Sequence, residues 1–147
     1  MQNKEIDYSK TIIYKIVCKD KTITDCYIGH TTSFTKRKNQ HKSCCNNEKN
    51  KEYNNIKYQY IRNNGGWNNW DMIEIEKYSC QNKDEAKERE RHFIELFKSK
   101  LNIFIPTRTS KEYEKEDKDR YFEAFLNRFS DDTKKNDNIL YDILYRK

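Results

Sequence analysis

Apolar positions along the chain fall into short, well-separated runs. Thr11-Ile12-Ile13-Tyr14-Lys15-Ile16-Val17-Cys18 is β-branched and aromatic, which predicts a strand. Lys19-Asp20-Lys21-Thr22 is polar and turn-like, and Cys26-Tyr27-Ile28-Gly29 reads as a second strand ending at a glycine. The two runs are close enough to pair antiparallel as a hairpin. From Ser33 the period changes. Ser33 or Thr32 can cap a helix that runs to about Asn46, where an Asn-rich stretch breaks it. Tyr53 to Asn63 predicts a second helix, with Ile56, Tyr60 and Ile61 near one face and Asn64-Gly65-Gly66 as its stop. Trp70 to Tyr78 offers a third strand, inward at Trp70, Met72 (or Ile73) and Ile75. Asn82 and Asp84 are candidate caps for a long helix from about Lys83 to Lys98, with Ala86, Phe93, Ile94 and Phe97 facing inward. Leu101 to Pro106 reads as an extended exit closed by the only proline.

After Pro106 the charges alternate in sign. Glu112 to Phe129 is amphipathic, with Tyr121, Phe122, Phe125, Leu126 and Phe129 on one face, and Ile139 to Tyr145 is a shorter apolar helix. That face either folds back on the core or pairs two copies of the chain into a homodimer. The whole order is strand, strand, helix, helix, strand, helix, then a helical tail. It predicts an α+β sandwich with a three-stranded, mainly antiparallel sheet flanked by helices. The expected division is one domain over 1–106 and a tail over 107–147.

Composition limits the core. Apolar residues make up 34% of the 147, and mean hydropathy is -1.27. Much of the core volume must therefore come from the 11 Tyr and 7 Phe. No apolar run approaches the roughly 18 residues a membrane span needs. Met1-Gln2-Asn3-Lys4-Glu5 lacks the apolar segment of a signal peptide. The five cysteines make no C-x-x-C pair, and their number is odd, so a zinc site or disulfide framework is not expected. Together these features predict a non-secreted protein in a reducing, cytoplasmic or nuclear-type compartment.

Charge narrows the partner. Lys and Arg number 30 against 24 Asp and Glu, a net charge of +6. Residues 107–147 hold ten of each sign, so the whole excess sits in residues 1–106. Its densest part is Lys36-Arg37-Lys38-Asn39-Gln40-His41-Lys42. A one-sign excess on one segment suits a polyanion, although a solvated helix face has the same composition.

Three sets of residues carry candidate chemistry. Tyr14 and Tyr27 occupy near-corresponding places on two adjacent strands, so their phenols can share one face of the hairpin. Arg37 and His41, four apart, project from one face of the first helix. Arginine offers a planar fork of donors to phosphate, and histidine can move a proton near neutral pH. Glu90 stands on the long helix, where one carboxylate can hold a Mg²⁺ that keeps most of its waters. Glu88 is not on the same helix face. Each set alone is also what an ordinary strand or charged helix contains.

Together the sets form an ordered pattern. Ile12-Ile13-Tyr14, Tyr27-Ile28-Gly29, Arg37-x-x-x-His41, Glu90 before Phe93-Ile94, and Leu101-Asn102 follow one another in the order seen in the GIY-YIG nuclease family, which residues 11–106 resemble. Asn55 to Ile61 followed by Gly65-Gly66-Trp67 resembles the family's second helix and loop. Ile12 stands where the first motif usually has glycine, and Tyr53 falls where some members carry a second histidine. The tail shows no zinc-ligand pattern of the kind a separate DNA-reading module would bring.

The resemblance implies a metal-dependent endonuclease, a hydrolase of DNA phosphodiester bonds using Mg²⁺ or Mn²⁺. Tyr14 would act as general base or order the attacking water, and Tyr27 would touch the scissile phosphate or assist Tyr14. Arg37 would clamp the non-bridging oxygens, His41 would relay the proton, and Glu90 would be the one protein ligand to the metal. Asn102 would orient the site. Lys36, Arg37, Lys38 and Lys42, with Lys57 on the second helix, are the candidate nucleic-acid contacts. The competing expectation is a module that keeps the fold and binds nucleic acid without cutting it.

Overall fold

The structure is a computed structural model and describes residues 4–107. The predicted tail, with its apolar face and the homodimer it suggested, lies outside the described residues from position 108 on. Three strands and three α-helices, with two short 3-10 turns at Tyr8–Lys10 and Trp67–Asn69, make up the described part: β1 (Ile12–Cys18), β2 (Cys26–Thr31), α1 (Phe34–Asn46), α2 (Ile56–Asn63), β3 (Trp70–Lys77) and α3 (Lys83–Phe97). The sheet order is β2-β1-β3, and both pairings are antiparallel. The expected α+β architecture is therefore the observed one. No helix among the described residues is long and apolar enough to cross a membrane.

Strand β1 is central and is covered on both faces, which explains its nearly unbroken apolar run. Alternation sends Tyr14, Ile16 and Cys18 to one face, where they pack with Cys45, Tyr58, Ile61 and Trp67 from α1, α2 and the turn after it. Ile13 points the other way, into a second cluster with Ile28, Phe93 and Ile94 under α3. Aromatic rings fill much of the first cluster, as the low aliphatic content requires.

Several local expectations change. Strand β2 continues past Gly29 to Thr31, because β1 is long enough to pair with it up to Ile12. Ser33 occupies the cap of α1 but makes no side-chain cap bond. Helix α2 starts at Ile56 rather than Tyr53, since the Asn55 side chain accepts from the Lys57 N–H and fixes the first turn there. Its buried residues are Tyr58, Tyr60 and Ile61, while Ile56 is only half-buried. Tyr58 is held inward by a polar partner that helical periodicity does not report. On β3, Met72 is buried and Ile73 is exposed. Asn82 caps α3 through a bond from the Glu85 N–H at 3.0 Å, as expected.

Two differences bear on the site. Phe97 is 41% exposed rather than inward, lying stacked on Phe93 with the Lys15 ammonium 4.9 Å above its ring. Helix α3 ends at Lys98, whose φ of 48° is left-handed, and the chain then turns back in a series of turns rather than an extended exit. The backbone N–H of Leu101 and the Ser99 hydroxyl both donate to the Cys26 carbonyl. The returning segment thus covers part of the outer edge of β2.

Candidate active site

The antiparallel register sets Tyr14 opposite Gly29 and Ile16 opposite Tyr27. The two tyrosines are therefore diagonal neighbours on one face, with ring centroids 6.5 Å apart. Gly29 is required by this arrangement. A Cβ there would stand 2.5 Å from Tyr14 Cζ, so the glycine is the space the Tyr14 ring uses.

Helix α1 brings Arg37 and His41 to the same phenol. His41 Nε2 lies 2.7 Å from Tyr14 Oη, and Arg37 Nε donates to that oxygen at 3.2 Å. The other imidazole nitrogen, Nδ1, is 2.7 Å from Tyr58 Oη on α2. His41 is fully buried, stacked against Trp67, and sits between two phenols. Burial, with the Arg37 and Lys57 charges adding to it, holds its imidazole down to about 2. It is neutral at physiological pH, so one nitrogen donates and the other accepts.

The phenols are also neutral. Burial pushes Tyr14 up to about 12 against the opposing pull of the Arg37 cation. Tyr27 is raised well above its ordinary value, by burial first and then by the neighbouring Tyr14 and Glu90. For Arg37, burial alone would weaken the charge, but it is outweighed, with the hydrogen bond donated to Tyr14 Oη among the causes. Its guanidinium stays charged.

Glu90 reaches this group from α3, on the opposite layer. This is possible because β2 is an edge strand. A cleft of about 420 Å³ wraps round that edge, lined among others by Tyr14, Tyr27, Arg37 and Glu90. Glu90 is buried, with 8% of the residue exposed. One of its oxygens, Oε2, is hydrogen-bonded to His30 Nδ1, and no hydrogen bond among the described residues reaches Oε1. A buried carboxylate that turns one oxygen, unbonded by the described residues, toward a cleft suits a divalent cation.

Of the six predicted site residues, four line the cleft. His41 stands behind Tyr14 and touches no open surface. Asn102 works on the backbone: its Oδ1 accepts from the Ile28 N–H and its Nδ2 donates to the Ile28 carbonyl, both at 2.7 Å. It acts as a substitute strand on the edge of β2 and so fixes the residues between Tyr27 and Gly29.

The predicted nucleic-acid contacts divide. Lys36 and Arg37 line a groove that also includes His30, Gln40 and Lys83 and opens beside the cleft. Lys38 and Lys42 are exposed, and share an adjoining face of α1. Lys57 is half-buried instead, its ammonium 4.3 Å above the Tyr27 ring and 5.0 Å above Tyr58. Burial, then Arg37, brings its value down to about 8.

Sequence reading missed His30, Tyr58 and Lys87. His30 directly follows the Tyr-Ile-Gly motif, and Lys87 precedes Glu90 by one helical turn, so both were within reach of a face-by-face reading. Tyr58 had no such signal. Tyr53 stacks on Arg62, 3.7 Å from the guanidinium carbon, away from the cleft residues named above.

The model of the GIY-YIG catalytic domain matches residues 10–102. No curated protein and no solved structure matches the chain. The matched span covers both layers of the sandwich and every cleft residue from Tyr14 to Glu90, and the family implies nuclease activity. On this evidence the chain belongs to the GIY-YIG catalytic-domain family.

Proposed function

We propose that this protein is a metal-dependent DNA endonuclease with a single active site in the cleft at the edge of β2. The observation that carries the reading is the convergence of Tyr14, Tyr27, Arg37 and Glu90 on that cleft, from β1, β2, α1 and α3. Such a set offers a base, a phosphate clamp and a cation ligand within one small volume.

The hydrogen-bond inventory gives Tyr14 its part. Arg37 Nε–H occupies one lone pair of Tyr14 Oη. If the phenol donates its proton to His41 Nε2, the second lone pair remains for a water. His41 Nδ1–H then donates to Tyr58, which fixes the tautomer. With both groups neutral, Tyr14 is not a preformed phenolate. As the water oxygen bonds to phosphorus and the opposite P–O bond to the leaving strand breaks, the water proton passes to Tyr14 Oη and the phenolic proton passes to His41 Nε2. Charge developing on the phosphate offsets the new imidazolium. Tyr27 Oη and the Arg37 guanidinium bind the non-bridging oxygens. Glu90 would hold Mg²⁺ or Mn²⁺, and the ion when bound supplies charge neutralisation at the phosphate and at the departing oxygen.

Plasmid nicking with Mg²⁺ or Mn²⁺ tests this reading. Wild type should cut, and Glu90→Gln and Tyr14→Phe should lose at least about 100-fold in rate while still binding DNA. Equal cutting by wild type and Glu90→Gln would remove the assigned centre. Binding by the wild type without any cutting would instead favour the non-cutting module.

A further inference from the structure

We propose that His30 is a second protein ligand to the divalent cation, beside Glu90, and that it shifts the preference of the site from Mg²⁺ toward ions that accept nitrogen. This rests on the reading that Glu90 holds the cation.

The placement comes from strand geometry. Side chains alternate along β2, so Gly29 faces the tyrosines and His30 faces the α3 layer. There its Nδ1 meets Glu90 Oε2 at the rim of the cleft. The two side chains are 20% and 10% exposed, so both are held by their surroundings yet open on one side. Lys87 lines the same cleft and makes no ion pair with either of them. Among the described residues no other side chain hydrogen-bonds to His30 Nδ1 or to the Glu90 carboxylate.

The donor set then decides the chemistry. No group of three His, Cys, Asp or Glu able to hold a metal exists among the described residues. The protein therefore offers a two-donor site, one nitrogen and one oxygen, with remaining positions left to water and phosphate. Neighbouring donors on a six-coordinate ion stand about 3 Å apart when each bond is near 2.1 Å. Nδ1 and Oε2 already face each other, so a small opening of the pair admits an ion. Nδ1 binds it in the Nε2–H tautomer. Mg²⁺ favours an all-oxygen shell, whereas Mn²⁺, Co²⁺ and Ni²⁺ accept imidazole with rising affinity.

The full chain, loaded with Mn²⁺, provides the test. Pulsed EPR of the wild type should show ¹⁴N coupling to Mn²⁺, and His30→Gln should abolish it. By titration of free Mn²⁺, His30→Gln should weaken binding about 10- to 100-fold. Mg²⁺ affinity, read by competition, should fall by less than about 3-fold, since oxygen donors dominate its shell. Absence of ¹⁴N coupling in the wild type, with Mn²⁺ binding still dependent on Glu90, overturns the proposal and leaves His30 only positioning the carboxylate. That spectrum does not depend on how the variant folds. Mn²⁺ binding that is absent, or indifferent to Glu90→Gln, overturns the metal reading of Glu90 and this proposal together.

Discussion

Tyr14 and His41 lie 27 residues apart on a strand and a helix, yet their Oη and Nε2 atoms share a 2.7 Å hydrogen bond inside the protein. Neither side chain is exposed in any measurable degree. Arg37 closes the group by donating to the same phenol, so one oxygen is addressed by two side chains of one helix turn. The pair is a buried polar network placed against a cleft, and both its reactivity and its stability cost follow from that position.

Removing the phenolic oxygen should separate chemistry from binding. Tyr14→Phe is expected to lower the single-turnover cleavage rate about 10²- to 10⁴-fold, the range typical of a positioned base. DNA affinity should change little. The variant also leaves Arg37 Nε and His41 Nε2 without their partner, a cost of about 1–3 kcal/mol in denaturant unfolding. A rate and pH profile equal to wild type would sink the base assignment.

His41 should make stability depend on pH. Its imidazole is held down to about 2 in the fold, while in the unfolded chain it takes up a proton near 6.5. Between those values the unfolded chain binds more protons. Stability should therefore fall as pH drops below about 6.5, by up to about 1.4 kcal/mol per pH unit, and be flat above it as far as this group is concerned. His41→Gln lacks the contribution, so the gap between the two proteins should narrow from pH 6.5 to pH 4.5 in urea unfolding. Parallel curves would show that the imidazole is not the source.

Gly29→Ala tests the close approach of the two strands. The added methyl would stand 2.5 Å from Cζ of the fully buried Tyr14, so the phenol end of the ring must shift. Overpacking of this kind costs about 1–3 kcal/mol. Because the ring that must move carries the phenol, cleavage should fall as well. A melting temperature and rate both unchanged would contradict the geometry.

Asn102→Ala should destabilise without touching the cleft directly. It strips partners from the N–H and carbonyl of Ile28, both buried, at roughly 1–3 kcal/mol each. Hydrogen exchange at the edge of β2 should rise more than exchange at β3. Asn102→Asp should fare no better, since a carboxylate cannot donate to the Ile28 carbonyl.

The groove beside the cleft gives an ionic-strength prediction. Lys36→Ala and Lys83→Ala should each lower the slope of log affinity against log salt by about 0.9 if each contacts one phosphate. The loss should be similar for unrelated DNA sequences. An unchanged slope in both would move the backbone path elsewhere.

The chain's own pattern determined the three strands, the three helices and their order. Periodicity is local: it reports which face of an element is apolar, and the runs at 11–18, 26–29 and 83–98 state this directly. Ordered motifs also marked Tyr14, Tyr27, Arg37 and Glu90. Tertiary structure decided which side chains meet. Register placed Gly29, not Tyr27, across from Tyr14, and the edge position of β2 let Glu90 and His30 line one cleft with tyrosines of the other layer. It likewise chose Tyr58 as the second partner of His41 and turned Asn102 onto the backbone of Ile28. These pairings join residues 17 to 74 positions apart, and they exist only because two layers are packed on one twisted sheet.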